Sequence, residues 1–157
     1  MGNKKNNQFK KVTQEDVELE TLKKFLKNNT LEFNEALISA EKLEPTDIRY
    51  NNVNYQITEG DGKLKRNMRR ETSKGHRYVL LNKVSHDFIE IQIKNTLKKK
   101  SIRADKNTVL LIDVFRDGYL DPEDLKKQVS DCKKKYNKEC KVWKKVYLVF
   151  SDKNIKL

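Results

Sequence analysis

Apolar and polar residues alternate most clearly in "DIRYNNVNYQIT", residues 47–58, where an Asn-Asn pair interrupts the pattern. Alternation with a period of two predicts β-strands, and adjacent asparagines tolerate the positive φ angles of a two-residue turn. The pattern therefore predicts a β-hairpin in which Tyr50 lies opposite Val53 and Asp47 lies opposite Gln56.

The two faces of this hairpin differ in polarity because successive side chains of a strand point to opposite sides. The apolar face consists of Ile48, Tyr50, Val53, Tyr55 and Ile57. The polar face consists of Asp47, Arg49, Asn54, Gln56 and Thr58. A carboxylate, an amide and a hydroxyl thus meet on adjacent strands, either as a polar site or as the solvated face of a half-exposed hairpin.

Helical spacing of apolar residues predicts a first helix that begins after Thr13, a cap residue, and ends near residue 30. Residues 31–44 mix strand and helix signals and predict a strand or a short helix. Residues 88–94, "FIEIQIK", alternate like a strand but also continue a helical pattern. If these residues formed a strand, the connection to the next strand would be close to the minimum length of a parallel crossover that carries a helix. We therefore favour a helix there.

Two nearly continuous apolar runs, residues 108–114 and 145–150, predict strands that are buried on both faces. Residues 122–136 between them predict a helix with one apolar stripe, and this order is typical of a parallel crossover. We therefore expect an α/β fold with a mixed central sheet, a β-hairpin region and flanking helices. A flexible basic tail is expected over residues 1–12 and a single domain over residues 13–157.

The segment "DVFRDGYLDPEDL", residues 113–125, has the acidic spacing of an EF-hand calcium loop. However, its third position is Phe115, which offers no ligand, and the segment follows a predicted strand instead of a helix. Asp121 and Pro122 form a good helix start. We expect a turn and a helix cap here, and no EF-hand calcium site.

Basic residues favour a polyanionic partner, because 35 lysines and arginines oppose 23 acidic residues and the net charge is +12. A general lysine bias is the alternative explanation. Such a bias does not explain why four of the seven arginines lie within residues 66–77. The predicted nucleic-acid-binding side chains are Lys65, Arg66, Arg69, Arg70 and Arg77.

Other functional classes find little support in the sequence. No apolar run approaches the roughly 20 residues that span a bilayer, so we expect a cytoplasmic protein with no membrane partner. Cys132 and Cys140 have neither zinc spacing nor a nearby histidine, and we expect reduced, structural thiols. His76 and His86 have no identifiable nucleophilic partner, and no Gly-rich phosphate loop is present.

An acidic helix, the hairpin that follows "EPT", another helix, and two buried strands around a further helix occur in this order. This succession resembles the PD-(D/E)XK nuclease superfamily over about residues 13–150. The resemblance depends on the order of elements and on a very short motif. It implies a restriction endonuclease-like fold and cleavage of DNA or RNA with Mg²⁺ or Mn²⁺.

The hairpin of that family carries an Asp on one strand and an acid-x-Lys pair on the next. The resemblance implies that Asp47 is the metal-binding carboxylate, and it aligns Gln56 with the second acid and Thr58 with the lysine. Glu15 or Glu18 would stand for the acid that some members place on the first helix.

The family's lysine needs a substitute, because Gln56 brings no charge and Thr58 brings no cation. A lysine of the following helix, such as Lys94 or Lys98, is one replacement. A competing site would use Gln92-x-Lys94 as the acid-x-Lys pair if residues 88–94 formed a strand. That site retains a lysine but lacks a hairpin partner that carries Asp, and it ranks second.

Three functional classes therefore remain open. The chain is an active metal-dependent nuclease, an inactive nuclease-like module that binds DNA or RNA, or an unrelated α/β domain for protein interaction or assembly. Both a monomer and a homodimer are compatible with the sequence.

Overall fold

The computed structural model describes residues 12–40, 45–60, 88–114 and 121–157, which form helices on both sides of a six-stranded sheet. In chain order the elements are α1 (Gln14–Asn28), a 3₁₀ turn (Glu35–Leu37), β1 (Ile38–Ser39), β2 (Ile48–Tyr50), β3 (Val53–Glu59), α2 (Phe88–Ser101), β4 (Thr108–Asp113), α3 (Pro122–Lys135), α4 (Asn137–Lys141), β5 (Lys145–Val149) and β6 (Asn154–Lys156). The ambiguous segment 31–44 contains both a 3₁₀ turn and a short strand.

Neighbouring strands of the sheet are also neighbours in sequence, in the order β1-β2-β3-β4-β5-β6. The pairs β3–β4 and β4–β5 are parallel, and the other three pairs are antiparallel. Helices α3 and α4 lie between the parallel strands β4 and β5 in the chain. The predicted α/β class is therefore confirmed, with a mixed sheet, a hairpin region and a parallel crossover.

The hairpin forms in the predicted register, with Tyr50 opposite Val53 and Ile48 opposite Tyr55. Its two turn residues, Asn51 and Asn52, have φ angles of 45° and 62°. Positive φ at both central positions is the requirement of a type I′ turn, whose twist matches that of the strands. Local turn chemistry thus sets the pairing of β2 with β3.

Polar cap residues define where two of the helices begin. Thr13 Oγ1 accepts a hydrogen bond from Asp16 N at 3.2 Å, and Thr13 N donates to Asp16 Oδ2 at 2.9 Å. The side chain of Asp121 accepts from Glu123 N at 2.9 Å, and Pro122 is the first residue of α3. The carboxylate of Asp121 therefore serves a helix start. Residues 115–120 of the calcium-like segment lie outside the described residues.

Helix α2 decides the ambiguity at residues 88–94. Ile89, Ile93 and Leu97 follow helical spacing and are each 0% exposed, so burial of this stripe against the core favours the helix. The strand interpretation is wrong, and with it the competing Gln92-x-Lys94 pair. On a helix, residues two apart do not share a face. Accordingly, Gln92 is buried and Lys94 is exposed.

Apolar residues pack against both faces of the sheet. The α1 side contains Leu22, Phe25, Leu26, Ile48, Tyr50, Tyr55, Ile57, Val109, Leu111 and Val149. The opposite side joins α2 and α3 to alternate residues of β4 and β5, among them Leu110, Ile112, Val146 and Leu148. Because β4 contributes Val109 and Leu111 to one core and Leu110 and Ile112 to the other, it is buried on both faces, as its sequence predicts.

A polar cluster joins α2 to the end of α3. The hydroxyl of Tyr136 donates to Glu90 Oε1 at 2.7 Å, and Lys135 Nζ donates to the same oxygen. These two hydrogen bonds lower the pKa of the Glu90 carboxyl. Burial, followed by the hydrogen bond to Glu90, raises the pKa of Tyr136. The carboxylate form of Glu90 is therefore the form that the fold stabilises.

The two cysteines are free thiols, with Cys132 buried and Cys140 half-buried. Burial raises the pKa of each thiol to about 11. Neutral thiols are poor nucleophiles and poor metal ligands, because the thiolate is the reactive form.

Candidate functional site

A cleft of about 140 Å³ lies between α1 and the strands β1 and β2 at the edge of the sheet. Its lining residues are Glu15, Glu18, Leu19, Ile38, Ser39, Asp47 and Ile48. Three of these side chains are carboxylates and none is basic. We name this feature the Asp47 cleft.

Asp47 is held in place by two hydrogen bonds to β3. Its backbone N–H donates to Tyr55 O at 2.9 Å, and its Oδ2 accepts from Ile57 N at 2.7 Å. These contacts bracket Gln56, so Asp47 lies across from Gln56 as the register predicts. Just before β2 begins, the Asp47 carboxylate therefore takes the place of a backbone carbonyl as the acceptor for the Ile57 N–H. This double attachment fixes a half-buried acid at the wall of the cleft.

The other two carboxylates of the Asp47 cleft come from the first half of α1. Glu15 and Glu18 are three residues apart, a spacing that places both side chains on one side of a helix. Glu18 is half-buried and accepts a hydrogen bond from Gln14 Nε2 at 3.1 Å, while Glu15 is exposed. Tertiary packing of α1 thereby brings acids distant in sequence beside Asp47.

The chemistry of this donor set suits a hard divalent cation such as Mg²⁺ or Mn²⁺. Across the described ranges, no group of three His, Cys, Asp or Glu side chains is arranged to hold a metal ion. Mg²⁺ in enzymes typically takes only one or two carboxylates and fills its other positions with water and substrate phosphates. Asp47 with Glu18 or Glu15 fits that requirement, since all three line one small cleft.

Gln56 and Thr58 lie outside the lining of the Asp47 cleft. On β3 they alternate with Tyr55 and Ile57, which pack toward α1, so they point to the opposite face of the sheet. Gln56 is 8% exposed, and its Oε1 has no hydrogen-bond partner among the described residues. Thr58 is half-buried, and its hydroxyl donates to Glu59 O at 3.4 Å. The structure therefore does not bring these two side chains to the carboxylates.

The predicted replacement lysines also lie across the sheet from the Asp47 cleft. Lys94 and Lys98 are exposed on α2, whose apolar stripe packs on the side opposite α1. A lysine on the α1 side is instead Lys24, whose Nζ is 2.6 Å from Asp113 Oδ1 at the end of β4. Lys24 was not identified from the sequence because it lies among several lysines.

Thr21 Oγ1 also donates a hydrogen bond to Asp113 Oδ2 at 3.4 Å, so two side chains of α1 bind this half-buried carboxylate at the end of β4. The sequence offered no partner for Asp113. The predicted nucleic-acid-binding residues Lys65, Arg66, Arg69, Arg70 and Arg77 lie outside the described residues. No helix among the described residues combines the length and apolarity required to cross a membrane.

Comparison with protein-family models, with curated proteins and with solved structures found no match for this chain.

Proposed function

We propose that this protein binds nucleic acid and cleaves phosphodiester bonds with Mg²⁺ or Mn²⁺ at the Asp47 cleft, on a restriction endonuclease-like fold. The observation that carries the proposal is the convergence of Asp47 with Glu15 and Glu18 in one cleft of about 140 Å³. This convergence pairs the hairpin acid with first-helix acids, as the resemblance to PD-(D/E)XK nucleases implies.

Electrostatics supports a cation at this cleft. Three carboxylates and no basic side chain line the cleft, so its negative charge attracts a divalent ion. The whole chain, these acids included, carries a net charge of +12, which favours approach of a polyanion. The acidic cleft would remain unfavourable for phosphate unless a cation neutralised it. A bound metal would therefore allow a phosphate to enter the acidic cleft, while the net positive charge of the chain attracts the same polyanionic substrate.

In this proposal the chain's own residues hold and orient the metal. Asp47 is the principal ligand because two hydrogen bonds to β3 restrict its position. Glu18 is the second ligand because it is the more buried of the two helix acids. A divalent ion in such a site stabilises charge on the phosphate and activates a water molecule. Lys24, on the same side of the sheet and paired with Asp113, is our candidate for the role of the missing acid-x-Lys cation.

The order of elements also supports a nuclease-like fold. Helix α1, the β2–β3 hairpin, helix α2 and the two buried strands around α3 follow one another in the sequence that the resemblance requires. The hairpin belongs to a mixed sheet with helices on both faces.

Binding without cleavage is the second candidate function, and one observation favours it. Gln56 and Thr58 occupy the positions of the family's acid and lysine, yet they point away from the Asp47 cleft. An enzyme of this type would have lost two of its usual catalytic groups. The retained acids would then serve the structure of the hairpin.

Cleavage assays with matched variants distinguish these functions. The purified full chain is incubated with supercoiled plasmid, single-stranded circular DNA and a long RNA, with Mg²⁺, with Mn²⁺ and with EDTA. We expect metal-dependent cleavage that falls at least about 100-fold in Asp47→Asn and in Glu18→Gln, because a lost metal site removes several kcal/mol of charge stabilisation. Glu20→Gln is the control, since Glu20 is an exposed acid of α1 outside the cleft.

Three outcomes of these assays distinguish an active nuclease from a binding module. Loss of cleavage in both cleft variants, with the Glu20 control unchanged, supports the nuclease. Equal cleavage by wild type and Asp47→Asn removes the Asp47 cleft from the reaction. Binding of the substrates with no cleavage under any metal condition overturns the nuclease in favour of the binding module.

A further inference from the structure

A second cleft, of about 610 Å³, lies at the other edge of the sheet. Its lining residues are Lys133, Asn137, Cys140, Lys141, Trp143, Lys144, Lys145, Val146, Lys156 and Leu157. Five of these residues are lysines, and no acidic side chain lines the cleft. We name this feature the lysine cleft.

Four separate elements or their boundaries supply the five lysines. Lys133 comes from the end of α3, Lys141 ends α4, Lys144 and Lys145 stand at the start of β5, and Lys156 ends β6. A lysine bias of the whole chain would scatter positive charge over the surface. The fold brings these five lysines together in one concavity.

These lysines are not used by the fold for ion pairs. In the described part of the chain, salt bridges engage Lys23, Lys24, Lys126 and Lys135. All five lysines of the lysine cleft are exposed, and none forms a salt bridge with a described residue. Like charges gathered in one concavity repel one another, and an anionic ligand relieves that cost.

Part of the cleft lining is buried and apolar. Trp143 is 4% exposed, and its indole N–H donates to Ser101 Oγ at 3.4 Å. Val146 is 1% exposed within the core on the α2 side. Cys140 remains a neutral thiol because burial raises its pKa to about 11. The lysines are therefore the side chains that offer charge to a ligand.

We propose that the lysine cleft is a docking surface for the phosphate backbone of a nucleic acid. This inference rests on the nucleic-acid binding of the proposed function, but not on cleavage. Lysine ammonium groups act as point charges that neutralise phosphates without reading sequence. A nucleic acid carries closely and regularly spaced negative charge, which matches five unpaired cations in one concavity better than the sparser charge of an ordinary acidic peptide does.

The lysine cleft and the Asp47 cleft are distinct sites. Lys145 begins β5, so the lysine cleft lies by the amino end of a parallel strand. Asp47 contacts Ile57 near the carboxyl end of β3. Four strand spacings of about 4.8 Å separate β2 from β6, which gives roughly 20 Å across the sheet. Backbone docking at the lysine cleft can therefore be removed without changing the Asp47 cleft.

The test measures binding of fluorescently labelled DNA and RNA 20-mers of one sequence in EDTA, across a series of salt concentrations. The variant Lys141→Gln/Lys144→Gln/Lys145→Gln removes three cleft charges. The control Lys27→Gln/Lys99→Gln/Lys127→Gln removes three exposed lysines of α1, α2 and α3 that lie outside the cleft. Both variants change the net charge equally, and thermal unfolding establishes that each retains the fold.

Each phosphate contact contributes about 0.9 to the slope of log K against log salt for duplex DNA and about 0.7 for single strands. Three lost contacts therefore reduce the slope by roughly 2–3 and weaken binding at 0.1 M salt at least about tenfold. The control should change affinity by less than about threefold. This pattern supports the proposal, and preference for DNA or RNA shows which backbone is the ligand.

Four results would overturn the proposal: equal weakening by both triple variants, no weakening by the cleft variant, no oligonucleotide binding by wild type, or equal competition by poly-glutamate. Failure of cleavage is scored separately, because Asp47→Asn lies outside the lysine cleft. If cleavage is absent but the cleft variant loses binding, the docking surface stands and the nuclease fails. If cleavage depends on Asp47 but both triple variants bind equally, the nuclease stands and the docking surface fails.

Discussion

Removing the Asp47 carboxylate should destabilise the hairpin as well as any metal site, and the two effects can be separated. Asp47 Oδ2 accepts from the backbone N–H of Ile57 at 2.7 Å, and Ile57 is only 3% exposed. In Asp47→Ala this N–H loses its acceptor in a position that water reaches poorly. An unsatisfied buried donor costs about 1–3 kcal/mol. We therefore expect a loss of about 2 kcal/mol in the free energy of unfolding.

Asp47→Asn should lose much less stability, because its side-chain oxygen can still accept from Ile57. A charged acceptor exceeds a neutral one by about 1 kcal/mol, so we expect a loss of no more than that. For a chain of this length 1 kcal/mol corresponds to about 2–4 °C in Tm. Asp47→Asn therefore removes the negative charge while keeping the hairpin, which makes it the better variant for cleavage assays.

Urea and thermal unfolding of wild type, Asp47→Asn and Asp47→Ala, followed by circular dichroism, measure the difference. Glu20→Ala is a suitable control, because Glu20 is an exposed acid that forms a salt bridge with Lys23 on the same helix. Equal stability of Asp47→Ala and wild type would show that the bond to Ile57 contributes nothing. If Asn and Ala destabilise to the same extent, the charge and not the acceptor position is what matters.

Two further predictions concern the packing of α2. Tyr136→Phe should cost about 1–2 kcal/mol at pH 7, because a buried hydroxyl no longer donates to the Glu90 carboxylate. The fold lowers the pKa of Glu90, so this contribution is fully present above about pH 4.3, the pKa of an unfolded Glu, and is lost as the pH falls through the folded pKa. Chemical denaturation should therefore show a smaller loss of stability at pH 3 than at pH 7. A loss that does not change with pH would contradict it. Gly60→Ala should lower Tm, because a Cβ would meet the backbone oxygens of Gln92 at 3.1 Å and Asp113 at 3.2 Å, and an unchanged or higher Tm would show that α2 can shift at low cost.

Local patterns predicted most of the elements for reasons that the structure makes plain. The Asn51-Asn52 turn and the alternation around it are short-range signals, and they set the hairpin register without help from the rest of the fold. The Thr13 cap and the Asp121-Pro122 start act within one helical turn.

The candidate site was predicted only in part, because it depends on packing between distant segments. The resemblance pointed to Asp47 and Glu18, and both line the same cleft. The same reasoning grouped Gln56 and Thr58 with Asp47 from strand alternation. Asp47 instead stands just before β2, where its carboxylate bonds to the Ile57 N–H in place of a backbone carbonyl. Alternation describes the strand interior and does not fix the direction of a side chain at its end.

The sequence by itself determined the hairpin, the capped helices, the buried strands and the excess of positive charge, because each follows from residues within a few positions or from simple totals. Only the tertiary structure decided which charges meet. Packing of α1 against the hairpin gathers three acids in the Asp47 cleft, and the docking of α3 and α4 beside β5 and β6 gathers five lysines in another. Charge separation of this kind is invisible in sequence, since it arises from contacts between residues up to tens of positions apart.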